Sequence, residues 1–496
     1  MLFSVVALVA VLCLTVYWYL AQKNWSFAKN VVAVDPSYPV IGNGHLFVGK
    51  SDVRRFWNMK KLFDRTEALF RFFLGPKMVF GTSDPKTAQQ ILTESNCMEK
   101  PYLYDYFLIG HGVFTAKTHI WRGQRKALNP TFNTKILESF VSIFCDSSAA
   151  MIQRLEAIPA GKTINFMEHI SRCTLEMVCA TTLGFDVQVF DQVDNLGHQI
   201  ERVFYIAARR MLNFYLQLDI IYRWTKDYQE EQTLQDYLTA YGMQIYDDAT
   251  ARFSKESLHD DTTTSKDENF RKPQIFVNQL FTNTIRKFNR LEIIDNIYTM
   301  VGAGTDTSAT AISFTLLQLA MYPDHQQKLY EEIVEVFPEP EPAITLESLK
   351  RLKYTEMVLN ECLRLYPVVP MVVRENTADI TVNGLRVPKG NIFGVHIFNI
   401  HRRKDVWGPD ADKFDPERFS PERSVGRHPF AFLAFSGGSR NCLGSRYAMI
   451  SMKIIMVYLV KHFRFHTQIR EEDIRFRFDA LLRIEGGHQI QLERRT

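Results

Sequence analysis

Apolar residues recur at helical spacing along most of this chain and at strand spacing in only a few short runs. From about residue 135 to residue 365 the pattern is mainly helical. Phe70 to Gly81, FRFFLGPKMVFG, predicts two short strands around Gly75-Pro76. Ile380 to Gly390, ITVNGLRVPKG, predicts a hairpin turning at Asn383-Gly384, a pair that suits two consecutive positive φ angles. Leu481 to Leu492, LLRIEGGHQIQL, predicts another, turning at Gly486-Gly487. Ser254 to Lys272 is largely polar and predicts a mobile surface loop. No internal repeat is visible. The expected class is mostly α with small β-sheets, an α+β protein.

One predicted helix conflicts with itself. Leu291 to Tyr322 forms a single helical pattern, stopped by Pro323, and would run roughly 45–50 Å at the standard rise. Its second half, ATAISFTLLQLAMY, is apolar nearly all round and is expected to be buried. Its middle reads GAGTDTS. Gly302 and Gly304 each cost about 1 kcal/mol relative to Ala inside a helix. Thr305, Asp306, Thr307 and Ser308 compete for backbone hydrogen bonds there. A central helix weakened at its middle marks a functional site, or else a kink packed by small residues.

The first residues add a membrane. Leu2 to Leu20, LFSVVALVAVLCLTVYWYL, carries no charge and is long enough to span a bilayer as a helix. Tyr17, Trp18 and Tyr19 stand at one end, where aromatic rings favour the interface. Lys23 and Lys29 follow and no Lys or Arg precedes, which places the rest of the chain on the cytosolic side. The competing reading, a cleaved signal peptide, calls for a charged leading region and a small-residue cleavage site; the first is absent and the second not visible. The expected division is an anchor helix over residues 1–22, a stiff connector over 23–45 with Pro36, Pro39, Gly42 and Gly44, and a catalytic body over 46–496.

Composition narrows the class further. The 496 residues carry a net charge of only +4 with no long basic run, which argues against nucleic acid as a partner. The seven cysteines (Cys13, Cys97, Cys145, Cys173, Cys179, Cys362 and Cys442) are odd in number and scattered, with no CxxC pair or zinc-type spacing. A disulfide framework is therefore not expected, and the body suits a reducing compartment.

One of these cysteines stands apart. Phe435 to Gly444, FSGGSRNCLG, surrounds Cys442 with Gly437, Gly438 and Gly444. Bare backbone N–H groups aimed at the sulfur stabilise a thiolate, and the helical pattern SRYAMISMKIIMVYLVKHF begins just after, which is expected to lower the thiol pKa further. A single thiolate with no neighbouring Cys or His ligand suits haem iron. A buried inert cysteine is the common alternative, but it leaves the glycines unexplained.

FSGGSRNCLG resembles the FxxGxRxCxG haem-binding signature of the cytochrome P-450 superfamily at every fixed position. Trp121 and Arg125 match WxxxR, AGTDTS (Ala303 to Ser308) the oxygen-activation motif, Glu361 and Arg364 ExxR, and Pro416 to Phe419 PERF, in the family's order. The wording HPFAFLAFSGGSRNCLGSRYAM and WGPDADKFDPERF is similar to the microsomal family-4 clan, especially its insect branches. The resemblance spans essentially the whole chain and implies the cytochrome P-450 fold with an N-terminal transmembrane helix. One position departs: many family-4 enzymes carry a Glu that bonds to the haem where this chain has Ala303. That implies non-covalent haem b and weakens an assignment to fatty-acid ω-hydroxylation.

The resemblance also implies roles. Cys442 would be the proximal iron ligand, with Phe435 keeping water from the sulfur, and Gly438 and Gly444 letting the chain pass close to the porphyrin. Arg440, Arg125, Trp121 and Arg374 would bind the haem propionates. Thr307 and Asp306 would deliver protons at the oxygen side, with Gly304 leaving room for oxygen. Glu361, Arg364 and Arg418 would form a structural ion network behind the cysteine loop. Pro101 to Phe114, Val203 to Trp224 and Pro367 to Val373 are candidate substrate walls; Arg122, Lys126, Arg446 and Lys453 are a candidate basic face for an acidic electron donor. The implied function is a monooxygenase of the endoplasmic reticulum membrane acting on an apolar small molecule, with electrons from NADPH through a flavoprotein reductase and cytochrome b5 as a further partner. A haem-thiolate isomerase or dehydratase acting on peroxides is the alternative; such relatives tend to lose the acid and threonine that Asp306 and Thr307 retain.

Overall fold

The computed structural model describes residues 25–38, 40–159, 161–184, 193–260 and 275–495, together with positions 11, 12, 15, 16 and 19. The predicted anchor, Leu2 to Leu20, lies mostly outside these residues; among the described ones, no helix is long and apolar enough to cross a membrane.

Counting helices of eight residues or more, the chain forms α1 (Asp52–Phe63), α2 (Pro85–Thr93), α3 (Thr118–Leu128), α4 (Val141–Glu156), α5 (Phe166–Leu183), α6 (Val193–Leu212), α7 (Lys226–Asp260), α8 (Arg290–Met321), α9 (Pro323–Val336), α10 (Lys353–Leu365) and α11 (Ser445–His462). The predicted loop over Ser254 to Lys272 is in part helix, since α7 runs to Asp260; residues 261–274 lie outside the described set.

The long helix is α8, and local chemistry sets both of its ends. The Asn289 side chain accepts from the Glu292 N–H while the Glu292 carboxylate accepts from the Asn289 N–H, a capping box. Pro323 cannot continue the helix and instead opens α9 at its first turn. Every residue from Ser308 to Ala320 is buried, as the apolar second half requires. The helix crosses the body against α5 and α10, so its weakened middle lies inside the protein.

The strands are short: β1 (Val32–Ala33), β2 (Phe70–Leu74), β3 (Lys77–Thr82), β4 (Thr163–Asn165), β5 (Val372–Glu375), β6 (Ile380–Val382), β7 (Leu385–Val387), β8 (Ile392–Val395), β9 (Phe463–His466), β10 (Phe476–Asp479), β11 (Leu481–Ile484) and β12 (Gln489–Arg494). The largest sheet has the order β1-β2-β3-β8-β5. Its β1 belongs to the stretch read as connector, and the buried Asn43 donates to the Val34 and Pro36 carbonyls, fixing that stretch against the sheet. The hairpin β6–β7 turns at Asn383 (φ 48) and Gly384 (φ 78), the paired positive angles its sequence suits.

The hairpin expected over Leu481 to Leu492 does not form. β11 pairs backwards with β10 through a turn at Ala480, and β12 joins β4 and β9 in a separate sheet. The two glycines do turn the chain, but a Cβ on Gly487 would lie 2.6 Å from the Asn165 side chain, which also accepts the His488 N–H. The turn is docked on the end of β4, and that contact directs β12 to β4 instead of to β11.

Candidate active site

A cavity of about 380 Å3 opens between α8, the segment 103–114, β5 and the cysteine loop. Of the residues singled out in the sequence, Trp121, Arg125, Ala303, Gly304, Thr307, Arg374, Phe435, Arg440, Cys442 and Gly444 line it; Asp306 and Gly438 do not. Its distal walls come from Leu103, Tyr104, Phe107 and Phe114, from Phe204 and Leu212 of α6, and from Val368, Val369, Met371, Val372 and Val373. The later part of the predicted wall is elsewhere: Leu218, Ile220, Ile221 and Trp224 stand exposed on the surface.

The cysteine loop is held from several sides. The Cys442 N–H donates to the Phe435 carbonyl at 2.9 Å, closing the loop on itself just before α11, whose N-cap is Gly444. Burial pushes the thiol pKa up, while the Gly444 N–H and Arg125 pull it down. The sulfur itself is exposed to the cavity. Gly438 has another reason than the one expected. Its φ is +69°, and a Cβ there would lie 1.8 Å from the backbone carbonyl oxygen of Leu92 at the end of α2. It is a glycine because two backbones meet there. Gly304 likewise meets Val178 of α5, where a Cβ would lie 2.8 Å away, so its small size serves helix packing as well as the cavity wall.

Behind the loop sits a buried ion network. Glu361 and Arg364, both fully buried, pair at 2.6 Å, and Arg418 lies 3.6 Å from Glu361. Arg364 also donates to the carbonyls of His401 (2.8 Å), Ala411 (2.6 Å) and Lys413 (3.2 Å). His401, which no spacing in the sequence marks, carries this network to the cysteine loop. Its Nε2 accepts the Leu433 N–H at 2.7 Å, so Nδ1 bears the proton and donates to the Arg364 carbonyl at 3.0 Å. Burial and the nearby Arg364 push its pKa down to about 3, which keeps this tautomer neutral.

The cavity edge gathers positive charge. Arg440 donates from Nε to the Met98 carbonyl (3.1 Å) and from Nη2 to the Ala116 carbonyl (2.8 Å), and lies over the Trp121 ring at 4.2 Å; its buried Nη1 has no partner. Arg374 on β5 is buried and donates to the Val373 carbonyl. Lys100, which precedes the aromatic stretch and which no motif marks, is buried too, its Nζ 3.9 Å from the Tyr104 ring centroid. Burial and mutual repulsion hold Lys100 well below its ordinary range, and burial with Arg374 brings Arg440 down to about 9. Among the described residues, no carboxylate pairs with any of these three within salt-bridge distance. Buried cations so arranged are unstable unless an anionic group binds between them.

The edge of a haem, with two propionates, has the required charge. The thiol and apolar walls on the same cavity match the rest of that group, so the residues fit it. Arg125 completes this side by donating to the Asn441 carbonyl (2.8 Å) and side chain (2.7 Å) beside Cys442. On the outer face Arg122, Lys126 and Arg446 are exposed. Lys453, expected with them, is buried and bonded to the Leu349 carbonyl and Glu356, because α11 turns it into the body.

On the distal side, Ala303 and Thr307 face the cavity one helical turn apart, and the Thr307 hydroxyl donates to the Ala303 carbonyl at 2.5 Å. Asp306 is turned away. It is buried and paired at 3.0 Å with Arg483 of β11, a partner that no motif in the sequence marks.

The cytochrome P450 family model matches residues 34–492 of this chain. Similar proteins include cytochrome P450 4V2 of Homo sapiens, 30% identical over 486 residues (96% of this chain and 91% of that protein). Cytochrome P450 4c21 of Blattella germanica is 28% identical over 454 residues, 90% of each chain, and probable cytochrome P450 313b1 of Drosophila melanogaster is 29% identical over 475 residues, 92% of this chain and 93% of that one. A lone cysteine in a closed loop, buried cations with no carboxylate in ion-pair contact and an apolar cavity are what a haem-thiolate site needs, and the chain belongs to the cytochrome P450 family as a monooxygenase of the family-4-like, insect type.

Proposed function

We propose that this monooxygenase inserts one atom of O2 into an apolar small molecule at the endoplasmic reticulum membrane, with electrons from NADPH delivered by a flavoprotein reductase. The observation that carries the reading is that Cys442 and Thr307 open onto one apolar cavity edged by Lys100, Arg374 and Arg440. Haem bound there supplies the activation of O2. Cys442 would hold the iron as a thiolate, with the Gly444 N–H donating to its sulfur. Lys100, Arg374, Arg440, Arg125 and Trp121 would hold the propionates, and Phe435 would keep water from the sulfur. Thr307 is the group placed to move a proton at its Oγ1, since its hydroxyl faces the cavity and only the Ala303 carbonyl competes for it. The apolar substrate is a fatty acid, a hormone or terpenoid, or a xenobiotic.

Thr307→Ala tests this. With reductase, NADPH and a turned-over substrate, the ratio of product formed to NADPH consumed is expected to fall severalfold while NADPH oxidation continues. An unchanged ratio would remove Thr307 from proton delivery. Ala303 leaves no carboxylate to bond to the haem, so the haem is held non-covalently. Acid–acetone extraction is expected to release all of it, and haem retained on the protein would contradict this.

Membrane attachment is supported twice. Leu2 to Leu20 has the length and apolarity of an anchor. Ile220 (78% exposed) and Trp224 (89% exposed), beside the exposed Arg223 and Lys226, form an apolar patch with a basic margin that suits a lipid interface. Arg122, Lys126 and Arg446 offer the reductase and cytochrome b5 a basic docking face.

A further inference from the structure

The distal wall segment is fastened to α8 through its main chain. The His111 N–H donates to the Asp295 carboxylate at 2.8 Å, and the Val113 N–H donates to the Asn296 side-chain oxygen at 3.0 Å. The His111 ring Nδ1 lies 3.0 Å from the same Asp295 oxygen. Between the two donors, Gly112 brings backbone against backbone. A Cβ there would lie 2.6 Å from the Asp295 carbonyl oxygen and closer still to Thr299 Oγ1. Two neighbouring side chains of one helix thus hold two backbone groups of the wall, and the residue between those groups has no room for a side chain.

The clasp is braced on both sides. Asn296 is fully buried, and its Nδ2 donates to the Glu292 carbonyl at 2.7 Å. From α3, the fully buried Gln124 donates to the His111 carbonyl at 2.6 Å. The Ala116 N–H donates to the Gly112 carbonyl at 2.9 Å, closing the segment on itself.

Cavity contacts surround this joint. Ile109, Val113 and Phe114 line the cavity from the segment, and Tyr298 and Thr299 line it from α8. Phe114 meets Tyr104 and Phe107 edge to face, with ring centroids 5.7 and 5.4 Å apart, and Phe107 meets Phe204 of α6 in the same way at 5.4 Å. The rings of the wall therefore take their places from one another and from the clasp. Thr307 opens on the same cavity and stands on the same helix, roughly 18 Å along it from Asp295 at the standard rise. One helix thus carries both the oxygen-side hydroxyl and the fastening of the opposite wall, and groups held by a single helix keep a defined spacing.

We propose that Asp295 and Asn296 are specificity-determining positioning residues: by holding the His111 and Val113 N–H groups they set how far the wall of Ile109, Val113 and Phe114 stands from Thr307, and so how long a molecule the cavity accepts. This rests on the monooxygenase reading. It assigns the reach of the cavity to two polar side chains that do not line it.

The test uses the full-length holoenzyme and two bases that bind haem iron through nitrogen and shift its Soret band: imidazole, a bare ring, and 1-octylimidazole, whose apolar chain extends from that ring. Iron and thiolate are common to both, so the ratio of the two dissociation constants reads the walls. The wild type is expected to bind 1-octylimidazole the more tightly, because the chain buries apolar surface. Asp295→Ala and Asn296→Ala are each expected to weaken it severalfold relative to imidazole. Asp295→Asn keeps an oxygen for the His111 N–H and is expected to restore the wild-type ratio. Gly112→Ala removes no polar group but forces the two backbones apart, and is expected to shift the ratio as Asp295→Ala does. Gly110→Ala is the control, since a Cβ there meets nothing within 4 Å, and is expected to leave the ratio alone. Should an alanine variant at 295 or 296 not fold, Asp295→Ser takes its place, its hydroxyl being too short to reach the His111 N–H. Thermal unfolding separates fit from stability. A lowered midpoint with an unmoved ratio in folded, haem-loaded variants shows a merely structural clasp and overturns the proposal, as does a wild type that binds 1-octylimidazole no more tightly than imidazole. A wild-type protein that gives neither a thiolate-type carbon monoxide band nor a Soret shift with imidazole overturns the monooxygenase reading, and the proposal with it.

Discussion

Cys442→Ser is expected to abolish the thiolate-type Soret band of the reduced, carbon-monoxide-treated protein, and NADPH-dependent oxygenation with it. The sulfur opens on the cavity, and no neighbour can take its place: among the described residues, no group of three or more His, Cys, Asp or Glu side chains is arranged to hold a metal. The other described cysteines are not among the residues lining the cavity. A serine hydroxyl is far less acidic than a thiol and gives iron none of the electron donation a thiolate provides. The loop itself should survive, because its closing bond runs from the residue 442 backbone N–H to the Phe435 carbonyl. Circular dichroism is expected to match the wild type. A thiolate-type band that persists in the folded variant would overturn the ligand assignment.

Arg364→Ala is expected to yield little folded protein and no haem incorporation. It strands Glu361, which is fully buried, without its main counter-charge, and breaking a buried pair from one side costs about 3–5 kcal/mol. It also removes the donor to three carbonyls, and each buried group left unpaired adds about 1–3 kcal/mol. Those losses together rival the roughly 5–15 kcal/mol that stabilises a folded domain. Burial already pushes the Glu361 pKa up against the pull of Arg364, so its carboxyl would protonate once the guanidinium is gone, recovering part of the loss but none of the carbonyl bonds. Arg364→Lys is expected to rescue poorly, because a single ammonium cannot span Glu361 and three carbonyls as the planar fork does. Soluble yield and haem absorbance per protein check this. A soluble, fully haem-loaded Arg364→Ala protein would show that the network does not hold the cysteine loop.

These two sites were legible to different degrees. Cys442 stood out because its signals are local: glycines on both sides, a helical pattern beginning just beyond, and no second ligand nearby. Glu361 and Arg364 were visible as a pair on one helix face, but the bond from Arg364 through His401 to Leu433 was not, since it joins segments that the sequence keeps well apart. The same holds for Lys100. In the chain it is one cation among aromatics, and only the fold places it beside Arg374 and Arg440.

The sequence by itself determined what backbone geometry and short-range chemistry control. It set the ends of α8 through Asn289, Glu292 and Pro323, the turn at Asn383-Gly384, and the thiol in its loop. Tertiary structure alone decided which partners met. It gave β11 to β10, because the turn at Gly486-Gly487 docks on Asn165, and it required Gly438 because the Leu92 carbonyl arrives there. It also joined Asp306 to Arg483 across 177 positions, turning away from the cavity a carboxylate that its motif had placed at the oxygen. Periodicity records how a segment folds on itself; a buried charge takes whichever partner packing brings within reach, and spacing along the chain carries no record of that distance.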